Sequence, residues 1–373
     1  SSDSWPIYIS LQKDGILFKM RRTQDLPDKE SATMFFQDCK LSHQAQITGI
    51  SHSVKEILPP DLLDLTQLQK EANIRYGYTA SEVYDIAQSL YEKKLISYPR
   101  TSSRYLTEDV FDSLSPIMAH LLSWELFPAA KGTGGIDISC LSRHVINSEK
   151  ANVHHAIIIT GIRPGNLSEK EMQVYRLVAG RMLEAFMAPC RIETTNVEAV
   201  CAAQHFKAEQ TRIIEAGWHD VFMHSDMVPK SGYSVNELPE VKKGDNLNVC
   251  GCNMVHKKEL PVDPFTDAEL VEYMEQNGLG TVSSRTNIIR TLVNRKYIRY
   301  SGKYIVPTPK GMFTYETIRG KKIADTSLTA DWEKQLAGLE SGMITGQDFL
   351  NRIRTLAKEM TDDIFNTYST KEE

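Results

Sequence analysis

The chain has 373 residues, a formal net charge of −5, and ordinary apolar (41%) and charged (24%) fractions for a folded protein. It holds no run of about 18 apolar residues and no charged leader before an apolar stretch, so we expect no membrane span and no signal peptide. The negative net charge argues against a protein that binds duplex DNA through its overall charge. A single strand can still bind in a local, positively charged groove.

Residues 1–57 predict β structure. The strand-like segments 7–11 and 16–20 flank Asp14-Gly15, which is a hairpin signal. Further strand-like residues lie within 46–57, and a Pro-Pro pair then interrupts the chain.

Residues 61–165 predict mainly helices. Thr79 and Glu82 have the spacing of a capping box, and apolar residues follow at helical spacing until the helix ends near Lys93-Lys94. The proline after Tyr98 favours an extended backbone at that tyrosine. We therefore expect Tyr98 on a turn beyond a helix end, where a nucleophile can be exposed.

The second half of the chain returns to β structure and then to helices. Ser168 and Glu171 predict a helix start, residues 192–253 predict strands, and Thr266 opens another helical region. That region is interrupted at 278–280, continues as a helix, and is followed by a short β wing, and two more helices close the chain. Because β segments bracket the first helical region, we predict that one sheet unit is built from two separated segments.

The six cysteines do not predict a metal site. Only Cys250 and Cys252 are close in sequence, and their spacing lacks the two-residue spacer of a zinc ribbon. We therefore expect reduced structural thiols in a cytoplasmic protein, with no zinc.

Tyr98 is followed by two arginines, Arg100 and Arg104. Guanidinium groups present paired donors to phosphate oxygens and stay charged at any working pH. A free tyrosine has a pKa near ~10, so it needs such help before it can attack a phosphodiester. Tyrosine beside arginine is common on ordinary surfaces, so the rest of the chain must decide between these two interpretations.

Two further segments decide it, namely 154–160 (His-His-Ala-Ile-Ile-Ile-Thr) and 278–285 (Gly-Leu-Gly-Thr-Val-Ser-Ser-Arg). With the tyrosine segment, in this order and at these distances, the chain resembles a type IA DNA topoisomerase of the topoisomerase III subtype. The resemblance covers nearly the whole chain. It implies a multidomain α+β fold, the toroidal gate of that family.

The resemblance also implies three domains. Residues 1–57 and 191–262 would form a discontinuous β-rich arch, residues 58–165 a mainly helical tyrosine domain, and residues 166–190 and 263–373 a helical base that binds single-stranded DNA. In such a gate the tyrosine domain lifts away after cleavage, and a second strand passes through.

By the same resemblance, Tyr98 is the nucleophile that forms a 5′-phosphotyrosine link, and resealing needs no ATP. Arg100 would hold the scissile phosphate, and His154 would donate a proton or hydrogen bond to a phosphate oxygen. The expected DNA contacts are Arg104, Thr281, Ser283 and Arg285. The chain departs from the family at Ser102, where aspartate is usual, and at Ile159, where proline is usual, and we expect both changes to be tolerated.

The family's N-terminal Toprim domain carries an Asp-x-Asp pair that binds Mg²⁺, and no such pair occurs in this chain. We therefore expect a fragment without Toprim that binds no metal itself. Such a fragment would bind single-stranded DNA as a monomer but would be inactive alone. The whole enzyme would use Mg²⁺ and work on the bacterial nucleoid.

One other function remains open at this point. Residues 266–310 are compatible with a non-enzymatic winged-helix module that binds DNA, although this leaves the tyrosine segment unexplained. A recombinase needs its tyrosine near the C-terminus, and a relaxase needs a histidine triad that binds a metal, so neither fits this sequence.

Overall fold

The structure is a computed structural model that describes residues 3–124, 126–127, 136–137, 141–151, 153–222, 230–258 and 262–369. The chain divides into two compact units. The barrel unit comprises Ser1–Pro60, Phe127–Ile136 and Leu183–Val262, and the helical unit comprises Asp61–Leu126, Asp137–Met182 and Asp263–Glu373.

A closed antiparallel barrel forms the first unit, with strand order β1-β2-β5-β4-β3-β6. Strands from the start of the chain pair with strands that follow the first helical region, because β1 pairs with β6 and β3 with β4. The prediction of one sheet unit from two separated segments is therefore confirmed. The strands are β1 Ile7–Lys13, β2 Ile16–Arg22, β3 Gln44–Ile57, β4 Cys190–Cys201, β5 Gln204–Glu215 and β6 Asn246–Met254.

Alternation of side chains along the strands fills the barrel core. In β1, Ile7, Ile9 and Leu11 are fully buried, whereas Tyr8 between them is partly exposed. This period of two fixes the register, because a slip by one residue would turn the apolar set out of the core. The predicted hairpin between β1 and β2 is also confirmed, with Asp14 and Gly15 both at positive φ.

One helix in the barrel unit contradicts the prediction of β structure throughout residues 1–57. Helix α1 (Lys29–Leu41) begins after Asp28, whose side chain accepts a hydrogen bond from the Ser31 amide. Its buried residues Ala32 and Cys39 lie two helical turns apart. The prediction was wrong for this segment because it relied on the strand-like runs on either side and overlooked the N-cap aspartate.

A short 3₁₀ turn at Gly217–Asp220 closes one end of the β3–β4 ladder. The indole N–H of Trp218 donates to the Ile57 carbonyl at 2.9 Å, and its backbone N–H donates to the Ala188 carbonyl at 3.0 Å. Gly217 lies at φ +53°, and a Cβ there would come within 2.3 Å of the Pro189 carbonyl oxygen. Glycine is therefore required at this position for two reasons, the positive φ and the close approach of the Pro189 carbonyl oxygen.

We expect Gly217→Ala to destabilise the protein by about 3 kcal/mol, from left-handed strain plus the carbonyl clash. Gly244→Ala is the matched control, because Gly244 also has a positive φ but no atom within 4 Å of its Cβ position. We expect it to cost about 1 kcal/mol. Urea unfolding followed by circular dichroism measures both free energies, and equal losses would contradict the role of the close contact.

Helices make up most of the described secondary structure of the helical unit. The capping boxes predicted at Thr79–Glu82 and Thr266–Glu269 are both present. The bounds are α2 Leu65–Tyr76, α3 Ala80–Glu92, α4 Glu108–Asp112, α5 Leu114–Ser123, α6 Glu169–Phe186, α7 Asp267–Gln276, α8 Arg285–Asn294, α9 Pro309–Ile318, α10 Thr326–Glu340 and α11 Gly346–Ser369.

Helices α7 and α8 and a two-stranded hairpin, β7 (Ile298–Ser301) and β8 (Tyr304–Pro307), form the predicted helix pair and β wing. Their shared core also takes in Ala80 of α3. Buried Asp267 accepts hydrogen bonds from the Ala80 amide and from the Tyr300 hydroxyl, and its burial raises the pKa of that carboxyl. The helix pair and wing are thus packed onto the helix that precedes the tyrosine segment.

The two closing helices, α10 and α11, are as predicted, whereas α9 was not predicted. The fold class, a multidomain α+β chain, is confirmed. The finer division into arch, tyrosine domain and base stays a prediction. None of the helices in the described residues has the length and apolar character that a membrane crossing needs.

Candidate active site

Two extended segments, 95–106 and 154–160, lie side by side in the helical unit. The Ser97 amide donates to the Ile158 carbonyl at 2.8 Å, and the Ala156 amide donates to the Tyr105 carbonyl at 2.8 Å. The Thr101 hydroxyl donates to the His154 carbonyl at 3.3 Å. These bonds, made far apart in sequence, bring the predicted tyrosine and histidine into one site.

The ring of Tyr98 is partly exposed and contacts the exposed His154. Their ring centroids are 4.6 Å apart, and the two planes are tilted by 41°. Tyr91, from helix α3, packs edge-on against Tyr98 with ring centroids 5.5 Å apart. The Tyr98 ring thus contacts both an aromatic ring and an imidazole, and the residue stays partly exposed to solvent.

Helix α3 holds the Arg100 guanidinium through Tyr84 and Gln88, which together form the Arg100 clasp. Its Nη2 donates to Gln88 Oε1 at 3.1 Å, and its guanidinium carbon lies 5.2 Å from the ring centroid of Tyr84. Among the described residues, its buried Nε has no hydrogen-bond partner. A buried donor without a partner is costly, so an anion that reached this guanidinium would stabilise it.

The clasp residues were missed at the level of sequence. No role was assigned to Tyr84, Gln88 or Tyr91 from the sequence. The available signal was their spacing, since residues 84, 88 and 91 share one face of helix α3. That face lies against Tyr98 and Arg100, two of the three predicted catalytic residues.

Arg104 is engaged by a carboxylate that sequence reasoning did not identify. Its Nε donates to Asp64 Oδ2 at 2.7 Å, and the Asp64 side chain is only 2% exposed. Asp64 also caps helix α2 by accepting from the Gln67 amide. Burial lowers the pKa of Arg104, but the hydrogen bond and charge of Asp64 outweigh this, and the net pKa is raised.

A cleft of about 390 Å³ opens beside this ion pair. Hydroxyls, cations and carboxylates line it together, so its surface is polar and of mixed charge. The lining residues are Asp61, Asp64, Ser102, Ser103, Arg104, Tyr105, Lys150 and Glu275.

Thr281 and Ser283 are exposed on the loop before helix α8. Their hydroxyls lie 3.2 Å apart, and the Thr281 amide donates to Ser284 Oγ at 2.8 Å. Gly278 and Gly280 have φ of +64° and +69°, which lets the chain turn sharply into the helix. The loop thus presents hydroxyls at a helix N-terminus, and the contact of Thr281 and Ser283 with a DNA phosphate stays a prediction.

Arg285 lies beneath that loop rather than on its surface. The residue is only 8% exposed, and its Nη1 donates to Glu275 Oε1 at 3.2 Å. Its Nε donates to the Leu279 carbonyl at 3.3 Å. The expected contact between Arg285 and DNA stays a prediction, and the structure gives this residue partners within the protein.

The described residues do not fit a magnesium site. No group of three or more His, Cys, Asp or Glu side chains in these ranges is arranged to hold a metal ion. No step of the chemistry below is therefore assigned to a metal held by this chain.

A sequence profile of the family described as DNA topoisomerase matches residues 1–351. The DNA topoisomerase 3 of Bacillus licheniformis is 32% identical over 348 residues, which cover 86% of this chain and 47% of that protein. The DNA topoisomerase 3 of Bacillus subtilis is 30% identical over 355 residues, which cover 88% and 48%. The chain thus spans about half the length of these curated relatives.

Among solved structures, full-length topoisomerase I from Thermotoga maritima superposes with a TM-score of 0.72 at 21% identity. The match covers 96% of this chain and 59% of that one. It supports the fold that the sequence motifs predicted.

Proposed function

Because the chain belongs to the type IA DNA topoisomerase family, we propose that it supplies the tyrosine with which such an enzyme cuts one DNA strand, lets another pass, and reseals the first. The observation that carries this proposal is the contact between Tyr98 and His154, beside the clasped guanidinium of Arg100. The substrate we propose is single-stranded DNA, bound by a monomer.

In this mechanism the Tyr98 oxygen attacks a DNA phosphorus. An O–P bond forms to the phenol oxygen as the bond between phosphorus and the 3′ oxygen breaks. The phenol loses its proton, and the departing 3′ oxygen gains one, which leaves a 5′-phosphotyrosine and a free 3′-hydroxyl. One phosphodiester replaces another, so the reverse attack reseals the strand without ATP.

Arg100 and His154 would act on the phosphate oxygens. The Arg100 guanidinium, whose Nε has no hydrogen-bond partner among the described residues, would bind the scissile phosphate and stabilise the charge that develops there. Exposed His154 can donate to a second oxygen from its position against the Tyr98 ring. The Tyr84 ring and the side-chain oxygen of Gln88 hold the planar guanidinium in one position.

We propose that acidic, Mg²⁺-binding groups outside these 373 residues complete the active site. When bound, that ion would help to position the phosphate and neutralise its charge. The curated relatives are bacterial, which supports the expectation of a cytoplasmic enzyme acting on the nucleoid.

The second candidate is a winged-helix module that binds duplex DNA, and the α7–α8 pair with its hairpin favours it. Its recognition helix would be α8. However, Arg285 and Arg290 of α8 already pair with Glu275 and Asp85 of the same chain. The exposed positions of α8, namely 287, 288, 291 and 294, carry no cation, so this helix is poorly suited to a phosphate backbone.

We expect the 373-residue chain to bind single-stranded DNA with an affinity that falls steeply with salt, and to bind duplex more weakly. Fluorescence anisotropy with matched single-stranded and duplex oligonucleotides measures this. We also expect little or no relaxation by the chain alone with Mg²⁺. Equal affinity for duplex would favour the winged-helix function, and robust relaxation would overturn the proposal that acidic groups lie elsewhere.

A further inference from the structure

Glu275, near the end of helix α7, joins three helix ends in the helical unit. Its Oε1 accepts from the Thr66 hydroxyl at 3.3 Å and from Arg285 Nη1 at 3.2 Å. Thr66 lies in the first turn of α2, and Arg285 is the first residue of α8. A single carboxylate oxygen therefore links the starts of two helices to the end of a third.

The same carboxylate is connected to the tyrosine segment. Thr66 follows Asp64 by two residues, and Asp64 holds Arg104 at 2.7 Å. Asp64, Arg104 and Glu275 all line the cleft of about 390 Å³ described above. The tyrosine segment is thus connected to the N-cap of α2 through Arg104 and Asp64. The loop before α8 is connected to the first turn of the same helix through Arg285, Glu275 and Thr66.

Arg285 uses two of its nitrogens, Nη1 and Nε, in this arrangement. Its side chain is 10% exposed, its Nη1 pairs with Glu275, and its Nε holds the Leu279 carbonyl within the glycine loop. Turning it outward to a phosphate would leave the partly buried Glu275 carboxylate without its counter-charge, which is costly. The loop hydroxyls of Thr281 and Ser283, by contrast, are already exposed.

We propose that Glu275 is a positioning residue. Through Arg285 it sets the loop at 278–284 beside the tyrosine segment, and Arg285 serves this carboxylate instead of binding a DNA phosphate. The role of this loop in catalysis rests on the proposed function, because the positioned loop would guide the single strand toward Tyr98. The effect of Glu275 on the loop in the free protein does not depend on DNA.

Hydrogen exchange of the free chain tests the inference first. Glu275→Gln should speed exchange of the loop amides at least about threefold, because local opening becomes easier. These amides include Leu279, Thr281 and Ser284, which are hydrogen-bonded in the structure. The matched control is Glu272→Gln, which removes the neighbouring pair of α7 with Lys70 of α2 at 2.8 Å. The same loop exchange in both variants would overturn the proposal.

Salt dependence of binding then separates positioning from phosphate contact. Arg285→Gln should weaken single-strand binding at every salt concentration but leave the slope of log K against log salt unchanged. Loss of a real phosphate contact lowers that slope by about 0.7 on single strands. A slope change of that size in Arg285→Gln would overturn the inference. If the unmodified chain binds no single strand, the proposed function fails. The exchange experiment still tests whether Glu275 positions the loop, because it needs no DNA.

Discussion

Tyr98→Phe is expected to abolish covalent capture of DNA, because only the phenol oxygen can form the phosphotyrosine bond. The substitution keeps the ring, so the contacts with His154 and Tyr91 and the binding of single strands should persist. The measurement is covalent trapping of a labelled oligonucleotide on a denaturing gel, with the proposed acidic, Mg²⁺-binding part supplied as a separate chain.

Tyr91→Phe is the matched control for that experiment. Tyr91 packs edge-on against Tyr98 at 5.5 Å, and Phe keeps that contact while losing a hydroxyl just as Tyr98→Phe does. It should capture DNA nearly as well as the unmodified protein. Covalent adduct formed by Tyr98→Phe at the unmodified level would mean that another group is the nucleophile.

Arg100→Lys is expected to lower the rate of strand cleavage by about 10²- to 10³-fold, the usual loss for a group that stabilises charge in the transition state. Lysine keeps the charge but cannot stack its head on Tyr84 or donate to Gln88 and a phosphate from one rigid plane. Single-turnover cleavage at saturating DNA measures the chemical step apart from binding.

Arg104→Lys provides the comparison for Arg100→Lys. Arg104 also pairs with a side-chain oxygen, that of Asp64, but it lies six residues after the nucleophile rather than two. We expect its substitution to change DNA affinity more than the cleavage rate. If both variants lost the same factor in rate, the special role of the Arg100 clasp would be refuted.

Local signals allowed much of the fold to be predicted from the sequence. The capping boxes at Thr79 and Thr266 and the turn at Asp14-Gly15 each depend on residues close together in the chain. Helix α1 was missed although it carries a local signal of its own, the Asp28 cap, because strand-like runs on both sides outweighed it. Closure of the barrel could not be predicted in detail, since pairing of β3 with β4 joins residues more than a hundred positions apart.

The sequence by itself determined the family and the chemical types at the site, because the order of the tyrosine, histidine and glycine-loop motifs is a property of the chain alone. Only the tertiary structure decided how those residues are held. The partners of Arg100 and Arg104, Gln88 and Asp64, lie 12 and 40 positions away, and Thr66 and Glu275 are 209 positions apart. Helical spacing can place Gln88 on a face of α3, but it does not say which residue that face contacts, because hydrogen bonds and ion pairs form between whichever groups the packing of helices brings within reach.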